Sequence, residues 1–342
     1  MYTWIIEWRI IMKNKYWDLK NDKIDLVYLW VNGNDENWQK KKQDFLIKFG
    51  LAEKEANAKC RFVDNDELKY SLRSVEKFAP WVNKIFIVSD NQTPEWLNTF
   101  NPKIKLISQS EIMPQSAFPC FSSPAIEYCI CNIEELSEYF IYSNDDMFFA
   151  DKTAPEFFFA KDKLPICRFG KRLSKSNYGK YLYQRLVINA QRLIATYFRI
   201  EYKNIPHHNI DAYRKSDLIN FNQKFKEIVA DTVNSHFRSS SNIERVAYLY
   251  YMCAINHGHF KKISRIDSAL PLKEKIINFL TKNYKKDSIY LFPHNRNYRE
   301  RIEKLKPNLF CINDSEESTD EDRLCVKEFL KEYFPEKSSF EN

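Results

Sequence analysis

The sequence predicts an α/β fold built on a largely parallel sheet. Short apolar runs rich in β-formers alternate with amphipathic helical stretches, and three of the runs stop abruptly in polar clusters. Residues 24–31 (IDLVYLWV) read as a buried strand halted by Asn32-Gly33. Residues 36–58 look helical and charged. Residues 66–79 place Leu68, Leu72, Val75 and Ala79 on one helical face, with Asp64 or Asn65 expected to cap the helix and Pro80 to end it. Residues 84–89 (KIFIVS) form a second strand, followed by Asp90-Asn91, and residues 104–107 a third. Ser123-Pro124 opens another helix, with the serine as cap and Ile126, Ile130 and Ile133 as its apolar face. Residues 139–143 (YFIYS) are a fourth strand running into Asn144-Asp145-Asp146. Residues 180–308 read as mostly helical and basic, a lobe over the sheet edge, and a last helix is expected near Asp320–Tyr333. The expected division is an N-terminal helical extension (1–23), an α/β core (24–165) and a mostly helical part (166–342) that completes the site.

Composition narrows the function. A chain of 342 residues is long enough for one large core, or a core with a second lobe. Only 5 glycines argue against a glycine-rich phosphate loop, whereas 20 tyrosines and 26 phenylalanines suggest an aromatic core with platforms for bases or sugars. The net charge of +7 favours an anionic ligand. No long Lys/Arg run, RNA-binding signature or zinc finger is present, so nucleic acid is not an expected partner. The 8 cysteines are scattered without a CxxC pair and read as reduced thiols of a cytosolic protein. The opening MYTWIIEWRIIMKNKYW is broken by Glu7 and Arg9, so it is neither a membrane span nor a convincing signal peptide. It suits packing onto the domain or peripheral attachment to a membrane. A cytoplasmic location is expected, with attachment at the inner membrane face and the oligomeric state left open.

Ligands of open parallel sheets bind beyond the carboxyl ends of the strands. Here those ends carry Asn32-Gly33-Asn34-Asp35, Asp90-Asn91 and Asn144-Asp145-Asp146. Adjacent carboxylates such as Asp145 and Asp146 suit a hard divalent cation that would bridge a diphosphate; they equally suit a turn that caps backbone amides. Asp64-Asn65-Asp66-Glu67 offers a general base or second metal contact in Asp64 or Glu67, or simply complements a helix dipole. Arg73 is placed to reach a phosphate or to lie solvated on the helix surface. Of the adjacent His207 and His208, one at most serves as proton acceptor. Arg238, in His236-Phe237-Arg238-Ser239, is a candidate diphosphate clamp.

Taken together, IDLVYLWVNGND, RFVDNDELKYSLRSVEKFAPWVNKIFIVSDNQTPEWLN, FSSPAIE and YFIYSNDDMFF resemble the Stealth family, bacterial capsular and exopolysaccharide sugar-phosphotransferases related to the catalytic subunit of animal GlcNAc-1-phosphotransferase. PHHNIDAYRKSDL through FRSSSNIERVAYLYYM, and the tail CINDSEESTDEDRLCVKEFLKEYFPEKSSFE, are similar to that family's third and fourth conserved regions. The resemblance runs from about residue 24 to 341. It implies a nucleotide-sugar transferase (GT-A/Rossmann-like) core, a UDP-hexose donor such as UDP-GlcNAc, a saccharide acceptor, and Mg2+ or Mn2+. The implied reaction moves hexose-1-phosphate to a hydroxyl and releases UMP. It further implies that Asn32 and Gly33 contact the nucleotide and that Asp64 and Glu67 sit in the active site with Arg73 near phosphate. Asp145 and Asp146 bind metal, His208 (or His207) is the base, Arg238 clamps phosphate, and Asn313 and Asp314 close the site. Asp90, Asn91 and Asn144 complete the substrate-binding rim. The rival readings are an ordinary glycosyltransferase that releases UDP, and a non-catalytic carbohydrate- or nucleic-acid-binding protein.

Overall fold

The computed structural model describes residues 16–50, 53–173, 179–263 and 286–342. Most of the N-terminal extension expected over residues 1–23 lies outside these; Trp17 packs against Tyr139 and Phe159.

Five strands form the main sheet: β1 (Ile24–Leu29), β2 (Ile85–Ser89), β3 (Ile104–Ser108), β4 (Tyr139–Asn144) and β8 (Asp211–Arg214), in the order β3-β2-β1-β4-β8. β3, β2, β1 and β4 run parallel, and β8 is antiparallel to β4. β1 and β2 are almost wholly buried, as continuous apolar runs covered on both faces must be. Asp25, completely buried at the start of β1, ties the lower ends together: its carboxylate accepts from Asn83 Nδ2 (2.7 Å), Lys84 N (3.0 Å) and Ser137 N (2.8 Å).

Helix α1 (Glu36–Phe49) is capped by Asp35, which accepts from Trp38 N at 2.7 Å, and it ends at Gly50 with φ 60°. Helix α2 (Glu67–Phe78) buries Leu68, Leu72 and Val75. The helix opened by Ser123-Pro124 proves short, α3 (Ser123–Glu127); Ser122 takes the cap position and the Ser123 hydroxyl accepts from Arg238 instead. Ile126, Ile130 and Ile133 are nevertheless all buried, as their spacing requires.

The second half is helical in bulk: α4 (Leu182–Phe198), α5 (Lys215–Lys224), α6 (Lys226–Val233), α7 (Val246–Ala254), α8 (Tyr298–Leu305) and α9 (Asp320–Tyr333). Its strands also join the sheets. β8 completes the main sheet. β11 (Leu309–Ile312) sits between β10 (Ser288–Leu291) and β5 (Met147–Phe149), and β6 (Ile166–Arg172) sits between β7 (Asn204–Pro206) and β9 (His259–Lys262). These short strands lack the long apolar runs that betray β1 and β2, and they form because a distant partner supplies the hydrogen bonds. All eight cysteines are free thiols. Among the described residues no helix is long and apolar enough to cross a membrane.

Candidate active site

Parallel pairing brings the carboxyl ends of β1, β2 and β4 to one rim, where Leu29 is level with Asn144 and Val88. Gln92, just beyond β2, stitches the rim: its Oε1 accepts from Asn32 N (2.9 Å) and its Nε2 donates to Asn32 O (3.0 Å). Gly33 is the one residue type that fits beside this turn. A Cβ there would lie 1.9 Å from the carbonyl oxygen of Phe62, so the chain that carries Asp64 passes directly over it.

The acids enter through an unusual helix start. The expected cap by Asp64 or Asn65 does not form; Asp66 takes the cap position with φ 67° and no side-chain cap bond. Asp64 Oδ1 accepts from Asp66 N (2.9 Å) and Oδ2 from Trp30 Nε1 (3.3 Å), while Glu67 turns back to accept from Asn65 N (2.6 Å) and Nδ2 (2.7 Å). A non-glycine residue in left-handed backbone costs of order 1 kcal/mol and gathers at functional sites. The strained turn aims Asp64 and Glu67 toward the end of β4.

There they meet Asp145 and Asp146. Burial, then the charges of Glu67, Asp146 and Asp64, push the Asp145 carboxyl well above the ordinary range. Burial likewise raises Glu67, Asp64 and Asp146. Asp146 Oδ2 accepts from Asn313 Nδ2 (3.1 Å) and faces the Cys311 thiol (3.4 Å), but its Oδ1 is buried with no partner. His208 Nε2 is also buried and unpartnered, and ligand atoms of Asp146, His208 and Cys311 lie within 4.8 Å of one another. Four carboxylates crowded together, with orphaned donor atoms beside them, fit a divalent cation: oxygen ligands dominate and a cation would offset their repulsion.

Of the two histidines, His208 is the one in this group. Burial and the charges of Arg245, His207 and Arg238 lower it to about 3, so it is uncharged at neutral pH. His207, lowered to about 4 by burial and by Arg168, meets Ser288 Oγ at 2.7 Å instead.

Arg238 has a neighbour that the motif reading missed, Arg61. Burial and the like charge of Arg238 lower Arg61 to about 10. Two guanidiniums held close together favour an anion between them. The local signal is RFVDNDE itself, in which the acids outnumber the single arginine. Glu127, Glu244 and Arg245 were missed as well. Charged Glu244 and Arg245 set between apolar Ile243 and Val246 were the available sign, since such residues are rarely buried unless paired.

Other expected site residues are occupied elsewhere. Arg73 is turned to the C-terminal segment. Its fork holds Glu341 (2.8 and 2.7 Å) and its NH1 the Phe334 carbonyl (2.7 Å), locking the C-terminal segment to α2. Arg73→Ala should therefore cost about 3 kcal/mol of stability, as breaking a buried pair does, with UDP affinity unchanged in calorimetry. A weakened UDP affinity at unchanged stability would restore the phosphate role. Asp90 pairs with Lys41, Asn91 is an exposed turn residue with φ 58°, and Asp314 pairs with Arg323 at 2.7 Å. Asn144 remains on the rim, its side-chain amide 2.8 Å from the Tyr142 hydroxyl.

Fold and site define an α/β protein with a cation- and phosphate-compatible rim on a mostly parallel sheet. Comparison gives the relatives. Residues 22–50 match Stealth protein conserved region 1 and residues 61–167 match Stealth protein conserved region 2. It is 34% identical over 330 residues to the capsular polysaccharide phosphotransferase SacB of Neisseria meningitidis serogroup A, covering 94% of this chain and 57% of that protein. It is 32% identical over 344 residues to the exopolysaccharide phosphotransferase SCO2594 of Streptomyces coelicolor, covering 93% and 51%. The chain thus spans about half the length of these curated relatives. A crystal structure of the galactosyltransferase LgtC with donor and acceptor sugar analogues overlaps it at a TM-score of 0.41 and 9% identity, over 92% of this chain and 97% of that one. That overlap is too slight to say more of the fold than the sheet itself does.

Proposed function

We propose that the chain is a sugar-phosphotransferase of capsular or exopolysaccharide synthesis. It would transfer hexose-1-phosphate, with GlcNAc-1-phosphate the leading case, from a UDP-sugar to a saccharide hydroxyl and release UMP. The observation that carries this reading is the meeting of Asp64, Glu67, Asp145, Asp146 and His208 at the sheet rim, in a chain related to proteins named phosphotransferases.

Phosphoryl transfer asks mainly for positioning and charge neutralisation. Asp145 and Asp146, with Glu67 or Asp64 beside them, would hold Mg2+ or Mn2+, which when bound neutralises diphosphate charge and stabilises the leaving UMP. Arg61 and Arg238 would clamp the transferred phosphate. Asn32 and the Gly33 turn would carry the nucleotide, and Asn313 holds Asp146 in place. His208, neutral and with Nε2 free, would accept the acceptor hydroxyl proton; phosphate charge beside it would raise its basicity.

The rival is a conventional glycosyltransferase, in which the acceptor attacks the anomeric carbon and UDP leaves. Incubation with a panel of UDP-sugars, an oligosaccharide acceptor and Mg2+, followed by chromatography of the nucleotides, separates the two. UMP is expected; UDP would establish the rival. Removal of one such electrostatic contact costs about 3 kcal/mol of barrier. His208→Ala and Arg238→Ala are each expected to slow UMP release at least about a hundredfold with the fold intact; near-normal rates in both would refute these roles.

A further inference from the structure

Buried polar side chains in native proteins nearly always find partners, so a concentration of unpartnered ones marks a place that a ligand completes. Among the described residues, Glu127 Oε2, Glu244 Oε2 and Arg245 Nε are buried without a hydrogen-bond partner, and so are the neighbouring His208 Nε2 and Asp146 Oδ1. They form one continuous neighbourhood. Arg245 Nε lies 3.6 Å from Glu127 Oε1, the charges of Glu127, Arg238 and Arg61 bear on Glu244, and those of Arg245 and Arg238 bear on His208.

Each of these side chains has an anchored part and a free part. Glu127 Oε1 accepts from Tyr142 OH at 2.8 Å, leaving Oε2 free. Arg245 NH1 donates to Asp211 Oδ2 at 2.8 Å and to Tyr213 OH, leaving Nε without a hydrogen bond, in ionic contact with Glu127 Oε1. Glu244 is fixed through its backbone, whose carbonyl accepts from Tyr128 OH at 2.9 Å. Anchoring of this kind holds the free atoms ready at little entropic cost.

We infer that Glu127 and Glu244 form a subsite for the hydroxyl groups of the donor's hexose, with Arg245 Nε offered to a ring or acetamido oxygen. This rests on the phosphotransferase reading and adds the sugar recognition to it. Two free carboxylate oxygens repel phosphate and call for hydroxyl donors, so the Arg61–Arg238 end takes the phosphate and the glutamate end a neutral polyol. The hexose is covalently attached to the transferred phosphate, so its ring must lie beside the phosphate clamp, where Glu244 is found. At 4% and 6% exposure the two glutamates sit too deep for an extended saccharide acceptor to be their first occupant.

The test is calorimetric titration of the whole chain, with Mg2+, by UDP, UDP-glucose and UDP-GlcNAc. The wild type is compared with Glu244→Gln and with the double variant Glu127→Gln/Glu244→Gln, which keep side-chain size. Charge-assisted hydrogen bonds are roughly twice as strong as neutral ones. Wild type is expected to bind at least one UDP-hexose more tightly than UDP. The double variant should lose about tenfold in affinity for that UDP-hexose while binding UDP as wild type does, and that retained UDP affinity doubles as the folding control. Equal UDP-hexose affinity in wild type and variants would overturn the inference and leave the phosphotransferase reading standing. Failure of wild type to bind any of the three would overturn that reading, and the subsite with it.

Discussion

Asp145→Asn is expected to slow UMP release by about a hundredfold or more and, without divalent cations, to make the protein more stable. The two effects have one cause. Asp145 is crowded by the charges of Glu67, Asp146 and Asp64, an arrangement that costs folding energy and that the proposed cation would offset. Asparagine keeps the shape, removes one negative charge, and so removes both the repulsion and the ligand. Loss of one such contact is worth about 3 kcal/mol of barrier. The pH dependence follows from the raised folded pKa values. A carboxyl raised on folding is most favourable below its unfolded value near 4, and its contribution is lost as pH rises through the folded value. The stabilisation by Asp145→Asn should therefore be small near pH 4 and large at pH 8, read as melting temperature in EDTA. A melting temperature at pH 8 below that of the wild type would refute this account of the cluster.

The second large effect is expected at a residue with no chemistry of its own. Gly33→Ala would place a Cβ 1.9 Å from Phe62 O, 2.6 Å from Phe62 C and 2.7 Å from Phe62 Cβ. The first two are backbone atoms and cannot rotate aside. The chain from Phe62 to Asp64 must then lift, which moves Asp64 away from Asp145. A loss of at least about 3 kcal/mol in stability is expected, the range for overpacking with backbone displacement. Turnover should fall further than the folded fraction does. Gly170→Ala is the matched control: its nearest atoms would be 3.8 Å away, and little change in stability is expected. Equal melting temperatures for the two variants would show that the turn does not hold the Phe62 segment.

Much of this was legible in the residues. β1, β2, β3 and β4 are short, mainly apolar runs, and α9 falls at Asp320–Tyr333 as its pattern requires. The place of Asp145 at the carboxyl rim also followed, since parallel strands bring those ends together, whereas Asp64, Glu67 and His208 were joined to it by the family resemblance. What the residues did not disclose was decided at long range. β5 and β11 are too short to read alone and exist because Met147 pairs with Cys311 and Phe149 with Leu309. Arg73 looked like a phosphate ligand because nothing near it in sequence shows that Glu341, 268 positions away, will fill its fork. Arg61 was hidden for the converse reason: its meaning comes from Arg238, which only the fold brings close.

The central claim is that the ends of β1 and β4, the start of α2 and the loops after β7 and β11 assemble one cation-and-phosphate site. Anomalous diffraction from crystals grown with Mn2+ and UDP measures this directly. A manganese peak within ligand distance of Asp145 or Asp146, with the diphosphate toward Arg61 and Arg238, is the expected result. Manganese and UDP bound together anywhere else on the protein, with these carboxylates unliganded, would contradict it.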